Sequence, residues 1–145
     1  MLKYALRCVC VLFSFIQIIN AAAGWPNPTD GEACYACLTA QTEFSAERIK
    51  AWDIHIHPLI TSPFAEAGLE YPEDLKNLCN AAFYFIEQGM GSTFESGLEG
   101  NQKRVRDTLV PKLLEAEQTP LPEQRLKAQA GILMWMVTAH PMRKK

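Results

Sequence analysis

"PEDLKNLCNAAFYFIEQG", residues 72–89, decides the fold class. Pro72 stands at a first-turn position, where its missing N–H costs nothing, and Glu73 and Asp74 follow where a helix start favours carboxylates. Leu75, Leu78, Cys79, Ala82, Phe85, Ile86 and Gly89 then recur at steps of three and four, which is one stripe of a helix. Cys79 lies inside that stripe, so it is expected to face a core.

The neighbouring segments extend the helical pattern. Downstream, "GMGSTFESGLEGN" interrupts it with four glycines. Gly89 and Gly91 do not make a phosphate loop, because no strand precedes them and no lysine stands in place. Residues 102–117 carry Val105, Leu109 and Leu113, with Pro111 expected to bend or interrupt the helix. After the breaker "TPLP", Leu126, Ala130, Leu133 and Val137 form another stripe. Ile132, Met134, Trp135 and Met136 widen it until the helix is apolar on nearly all sides, as a central helix or one paired with a second chain would be. A homodimer is one expectation. A ligand pocket lined by Trp135, Met134, Met136 and Phe85 is another, with plain core packing as the default.

Upstream, "GWPNPTDG" is too rich in proline to hold a helix. Residues 31–44 and 45–57 read as two helical pieces, opened by Asp30 and Ser45 as N-caps. Ile49, Trp52 and Ile56 step by three and four. A short strand over Trp52, Ile54 and Ile56 fits equally well by alternation. Pro58 and Pro63 are expected to end the element. The fold class expected is therefore all-α: a single small domain of four to five helices, stapled by a disulfide.

Residues 1–23 read as a secretory signal peptide, leaving residues 24–145 as the helical domain. Lys3 and Arg7 are the only charges in that leader, "CVCVLFSFIQII" is its apolar core, and Ala21 and Ala23 offer an A-x-A cleavage site. The apolar run is too short to cross a bilayer, which takes about 20 residues. No later stretch is long enough either, so no integral membrane segment is expected after cleavage. Losing Lys3 and Arg7 turns a formal net charge of −2 into about −4. That balance and the lack of a basic stripe argue against nucleic acid.

Cleavage also removes Cys8 and Cys10, leaving Cys34, Cys37 and Cys79. An exported chain is expected to oxidise thiols where geometry allows. One of Cys34 and Cys37 is expected to bond Cys79, with Cys37 slightly preferred. The closed loop of roughly 40 residues is worth about 3–4 kcal/mol in the chain-entropy model.

Other uses of "CYAC" fit less well. A haem anchor needs histidine after the second cysteine, and Leu38 stands there. A redox pair wants a preceding strand. Cys34, Cys37, His55 and His57 have the right donor atoms for zinc, but the histidines are too close together for a finger. "DIHIH" resembles the start of a metal-dependent amidohydrolase, a barrel of about 250 residues that this chain cannot build. His140 closes the last helix, where a cation suits the helix end. No G-x-S-x-G or H-E-x-x-H occurs. No catalytic residue, metal or cofactor is expected.

Two stretches carry a family resemblance. "LCNAAFYFIEQGMG", residues 78–91, resembles the cysteine–tyrosine–glycine segment of the Rap/Tai family of type VI secretion immunity proteins, with Cys79, Tyr84 and Gly89 in those places. "LPEQRLKAQAGILMWMVTAHP", residues 121–141, resembles the family's closing segment through Pro122, Glu123, Arg125, Ala128 and Pro141. The family would carry a cysteine after that proline, and another in mid-chain. Here Met142 follows Pro141, and the mid-chain cysteine is absent. The resemblance implies a bacterial periplasmic protein, without chemistry of its own, that binds and blocks a cell-wall amidase toxin. The alternative expectation is a small secreted helical carrier, or a component of a secretion apparatus, with an apolar pocket.

Overall fold

The computed structural model describes residues 25–90 and 102–139. The expected signal peptide with Cys8 and Cys10, most of the glycine-rich segment, and His140, Pro141 and Met142 lie outside the described residues. Those residues form six α-helices and no strand, which bears out the all-α class with one or two helices more than expected.

Helix α1 (Gly31–Thr39) starts at Asp30, whose carboxylate accepts the Ala33 N–H at 3.1 Å. Helix α2 (Ala46–His55) starts at Ser45, whose hydroxyl accepts the Arg48 N–H at 3.1 Å. Both caps satisfy donors that the first turn leaves unpaired. The alternative strand over Trp52, Ile54 and Ile56 is excluded by its own geometry. A strand would bury all three, whereas Trp52 and Ile56 are buried one helical turn apart and Ile54 is 56% exposed.

The sixth helix arises where a breaker was expected. The backbone turns at Ile56, and α3 (His57–Glu66) begins with Pro58 in its first turn, a place that suits proline. Pro63 lies inside α3, where proline ordinarily costs about 3 kcal/mol. Full burial of Ile60 and Phe64 offsets it, since each such side chain contributes about 1.5–3 kcal/mol. Burial therefore outweighs propensity. α3 ends at Gly68, whose φ of 76° lies in the left-handed region. The Leu69 N–H bonds the Phe64 carbonyl at 2.8 Å and the Gly68 N–H bonds that of Ala65 at 3.0 Å, the paired bonds of a glycine-terminated helix.

Helix α4 (Glu73–Met90) carries the stripe of Leu75, Leu78, Cys79 and Ala82, and every residue from Leu78 to Glu87 except Tyr84 is buried. Helix α5 (Val110–Glu117) is entered through a wide π-turn, Val105–Leu109, in which the Val110 N–H bonds the Val105 carbonyl five residues back. Pro111 follows at once. The wide turn absorbs the hydrogen bond that Pro111 cannot make, so the proline redirects the helix rather than ending it. Helix α6 (Pro122–Ala139) packs on α1 and α4. Two glycines set the approach of the N-terminal segment to α6. A Cβ at Gly31 would stand 2.7 Å from the Lys127 carbonyl oxygen, and one at Gly131 would stand 2.5 Å from that of Pro28.

The core joins Trp52, Phe64, Phe83, Leu109 and Leu113 with Leu133, Met134 and Val137. Met134, Met136 and Phe85 are buried within it, and the half-buried Trp135 lies under the Lys112 ammonium at 5.5 Å. The cluster expected as a possible pocket is thus packed core with one ring at its edge.

The disulfide is a correction. Cys34, Cys37 and Cys79 are all free thiols, so neither the Cys37–Cys79 bridge nor its Cys34–Cys79 alternative is formed. Cys34 donates to the Asn27 carbonyl at 3.3 Å, and Cys79 is hydrogen-bonded to the Tyr71 side chain. Sharing a buried face does not make two sulfurs meet.

Candidate functional site

Among the described residues, buried polar constellations and a cleft gather groups able to do chemistry or binding. The first runs from α3 to α4. His57 opens α3, and its Nε2 lies 2.7 Å from Asn80 Oδ1 while its Nδ1 lies 2.9 Å from the Tyr71 hydroxyl. Asn80 Oδ1 can only accept, so Nε2 carries the proton and Nδ1 accepts from Tyr71. The Tyr71 oxygen in turn meets Cys79. Burial is the main reason the His57 pKa is lowered, with the Lys76 charge acting the same way. The Asn80 hydrogen bond and the Asp53 and Glu73 carboxylates oppose them. The imidazole is therefore held neutral.

The sequence cysteine–tyrosine–histidine–asparagine has the parts of a thiol-activating relay, but its electrostatics run the other way. A nucleophilic thiol needs its pKa lowered toward neutrality. Burial instead pushes Cys79 up to about 12, and its hydrogen bond with Tyr71 offsets only part of that. Cys34 is pushed up to about 11 by burial, then by Asp30 and Cys37, and Cys37 to about 11 by burial alone. All three thiols stay protonated.

The second constellation ties α2 to α4. The Arg48 guanidinium grips the buried Glu87 carboxylate through two nitrogens, at 2.7–3.1 Å. The Trp52 indole N–H donates to the same carboxylate at 3.1 Å. Paired and satisfied in this way, a buried charge is tolerated. Sequence reasoning missed both constellations, although a signal existed: Asn80 and Glu87 are polar residues seven apart within an otherwise apolar run, "LCNAAFYFIE". Such a spacing places both on a buried face, where each must find a partner.

The residues weighed for zinc do not converge. His57 is spent on Tyr71 and Asn80, Cys34 on Asn27, and half-buried His55 closes α2 with its carbonyl accepting from Gln102. Among the described residues no three of His, Cys, Asp and Glu are gathered as metal ligands.

The described positions that carry the family resemblance fall on α4 and α6. Cys79 is fully buried, while Tyr84 and Gly89 are half-buried. Glu123 and Ala128 are exposed. Arg125 folds back from the first turn of α6, donates to the Thr119 carbonyl at 2.9 Å and approaches Glu117 at 3.6 Å. It thereby closes the loop from α5. Glu117 also receives the amide of fully buried Gln129 at 2.6 Å.

A cleft of about 320 Å³ opens between the C-terminal end of α1 and the start of α4. Leu38 and Leu78 form its apolar base, and Tyr35 and Phe44 contribute rings. Its rim is polar, with Thr42, Asp74 and Asn77. Phe44 packs edge-on to Trp52 at 5.5 Å and to Tyr84 at 5.9 Å.

The chain matches no protein-family model, no curated protein and no solved structure. No described helix is long and apolar enough to cross a membrane.

Proposed function

We propose that this chain is a binding protein without chemistry of its own: an exported, periplasmic immunity protein that binds and blocks a cell-wall amidase toxin of a type VI secretion system. The observation that supports the reading is the fate of the reactive side chains. Cys34, Cys37, Cys79, His57 and Glu87 are all buried. His57 is held neutral by burial and Glu87 is paired with Arg48, while the thiols are pushed away from ionisation. Groups so placed hold a shape and do not attack a substrate. An inhibitor that occludes a cleft needs a firm complementary surface rather than a nucleophile. Export comes from the reading of residues 1–23, and the target class from the likeness of residues 78–91 and 121–141 to the Rap/Tai family.

The test is stoichiometric inhibition. The purified protein is mixed with the amidase encoded beside its gene, and release of stem peptides from peptidoglycan is followed. Activity should fall linearly to near zero at one equivalent. Full amidase activity at tenfold excess of this protein, or no such gene nearby, removes the proposal.

A further inference from the structure

We infer that the cleft between α1 and α4 receives a cationic side chain, an arginine or lysine presented by a partner polypeptide. The inference rests on the reading of this chain as a protein-binding inhibitor and names the group its partner would insert.

Three features of the cleft point to a cation. Asp74 is the one charged residue of the lining, and no hydrogen bond or ion pair among the described residues engages its carboxylate. The nearby cations are already committed: Lys76 pairs with Asp53 at 3.2 Å and Arg48 with Glu87 at 2.7 Å. The last turn of α1 ends at this cleft and carries no basic residue of its own to offset the partial negative charge of a helix end.

The shape agrees with the charge. An arginine or lysine has a long apolar stem and a charged head. Leu38 and Leu78 would take the stem, and the rings of Tyr35 and Phe44 would take a cation by its attraction to an aromatic face. Asp74 would then supply the charge-assisted hydrogen bond, with Asn77 and Thr42 beside it. At about 320 Å³ the space sits at the low end of small-ligand sites, roughly 300–1,000 Å³, which suits one side chain better than a cofactor. The net charge of −2 favours a basic partner at long range.

The experiment is an amide-resonance titration of the ¹⁵N-labelled protein with N-acetylarginine amide. N-acetylcitrulline amide, the neutral isostere, and N-acetylglucosamine serve as comparison probes. Saturable shifts should appear at Thr39, Thr42, Asp74 and Asn77, about tenfold weaker with citrulline and equally weakened in Asp74→Asn. Equal response to arginine and citrulline, a stronger response to the sugar, or no response at those amides overturns the inference. Because the isostere comparison uses the unaltered protein, it stands even if Asp74→Asn fails to fold. Arginine-selective shifts without amidase inhibition would uphold the cleft and remove the toxin target. Inhibition with a silent cleft would do the reverse.

Discussion

His57 shows how a titratable group becomes a structural one. Its pKa in the folded chain lies below the ordinary value of about 6.5, chiefly because it is buried. As pH falls through 6.5 the unfolded chain takes up the proton before the folded one does. Stability is thus fully present above that value and is lost as pH drops below it. Melting temperature should be nearly flat between pH 7 and 8 and decline toward pH 5 on this account. His57→Gln should flatten that decline, and an unchanged slope would show that the imidazole is not the titrating group. Glu87 makes the complementary case, because its buried carboxylate is held by Arg48 and Trp52. Glu87→Ala removes the carboxylate that Arg48 and the Trp52 indole N–H both bond. Breaking a buried pair costs about 3–5 kcal/mol. Since Arg48 keeps some access to water, a value near 3 is expected from urea denaturation. A loss under 1 kcal/mol would mean that solvent replaces the carboxylate.

At the scale of elements, the contact between the N-terminal segment and α6 depends on the absence of a side chain. Alanine in place of a mid-helix glycine ordinarily stabilises by about 1 kcal/mol. Gly131→Ala should reverse that sign, because its Cβ would lie 2.5 Å from a backbone oxygen. A lowered melting temperature by calorimetry is the expected result, and a raised one would show that Pro28 moves aside freely. The elements also mark what a sequence can disclose. α4 was legible because its apolar spacing, its proline and its first-turn acids agree. The caps at Asp30 and Ser45 were legible for the same reason: each is a local interaction within three residues. α3 was hidden by Pro58 and Pro63, although Gly68, two residues past the end of α3, was a readable stop signal. What joins His57 to Tyr71 and Asn80, or Arg48 to Glu87 across 39 residues, is set by how helices pack. No local pattern carries it. The expected bridge failed at the same step: the stripe indicated that Cys79 is buried, not what it touches.

For the molecule as a whole, the free thiols report on cooperative opening. With pKa values of about 11 and 12, Cys34, Cys37 and Cys79 hold almost no thiolate at pH 8, and their burial blocks access. Alkylation followed by mass spectrometry should leave all three unmodified in the reduced folded protein and modify all three in denaturant. Their labelling rates in intermediate urea should coincide, since each requires opening of the shared core. Early modification of Cys34 alone would instead mean that α1 peels away separately.

The seating of the earliest described helix against the last has a bearing on biosynthesis. A nascent chain that has reached only residue 121 lacks α6, the helix against which α1 and α4 both pack. Such a chain would stay open on that side until the eighteen-residue α6 leaves the ribosome. A version ending at Leu121 should show weak helical dichroism and rapid digestion by protease. The order of synthesis itself thus postpones the closing of this side of the core until α6 is made.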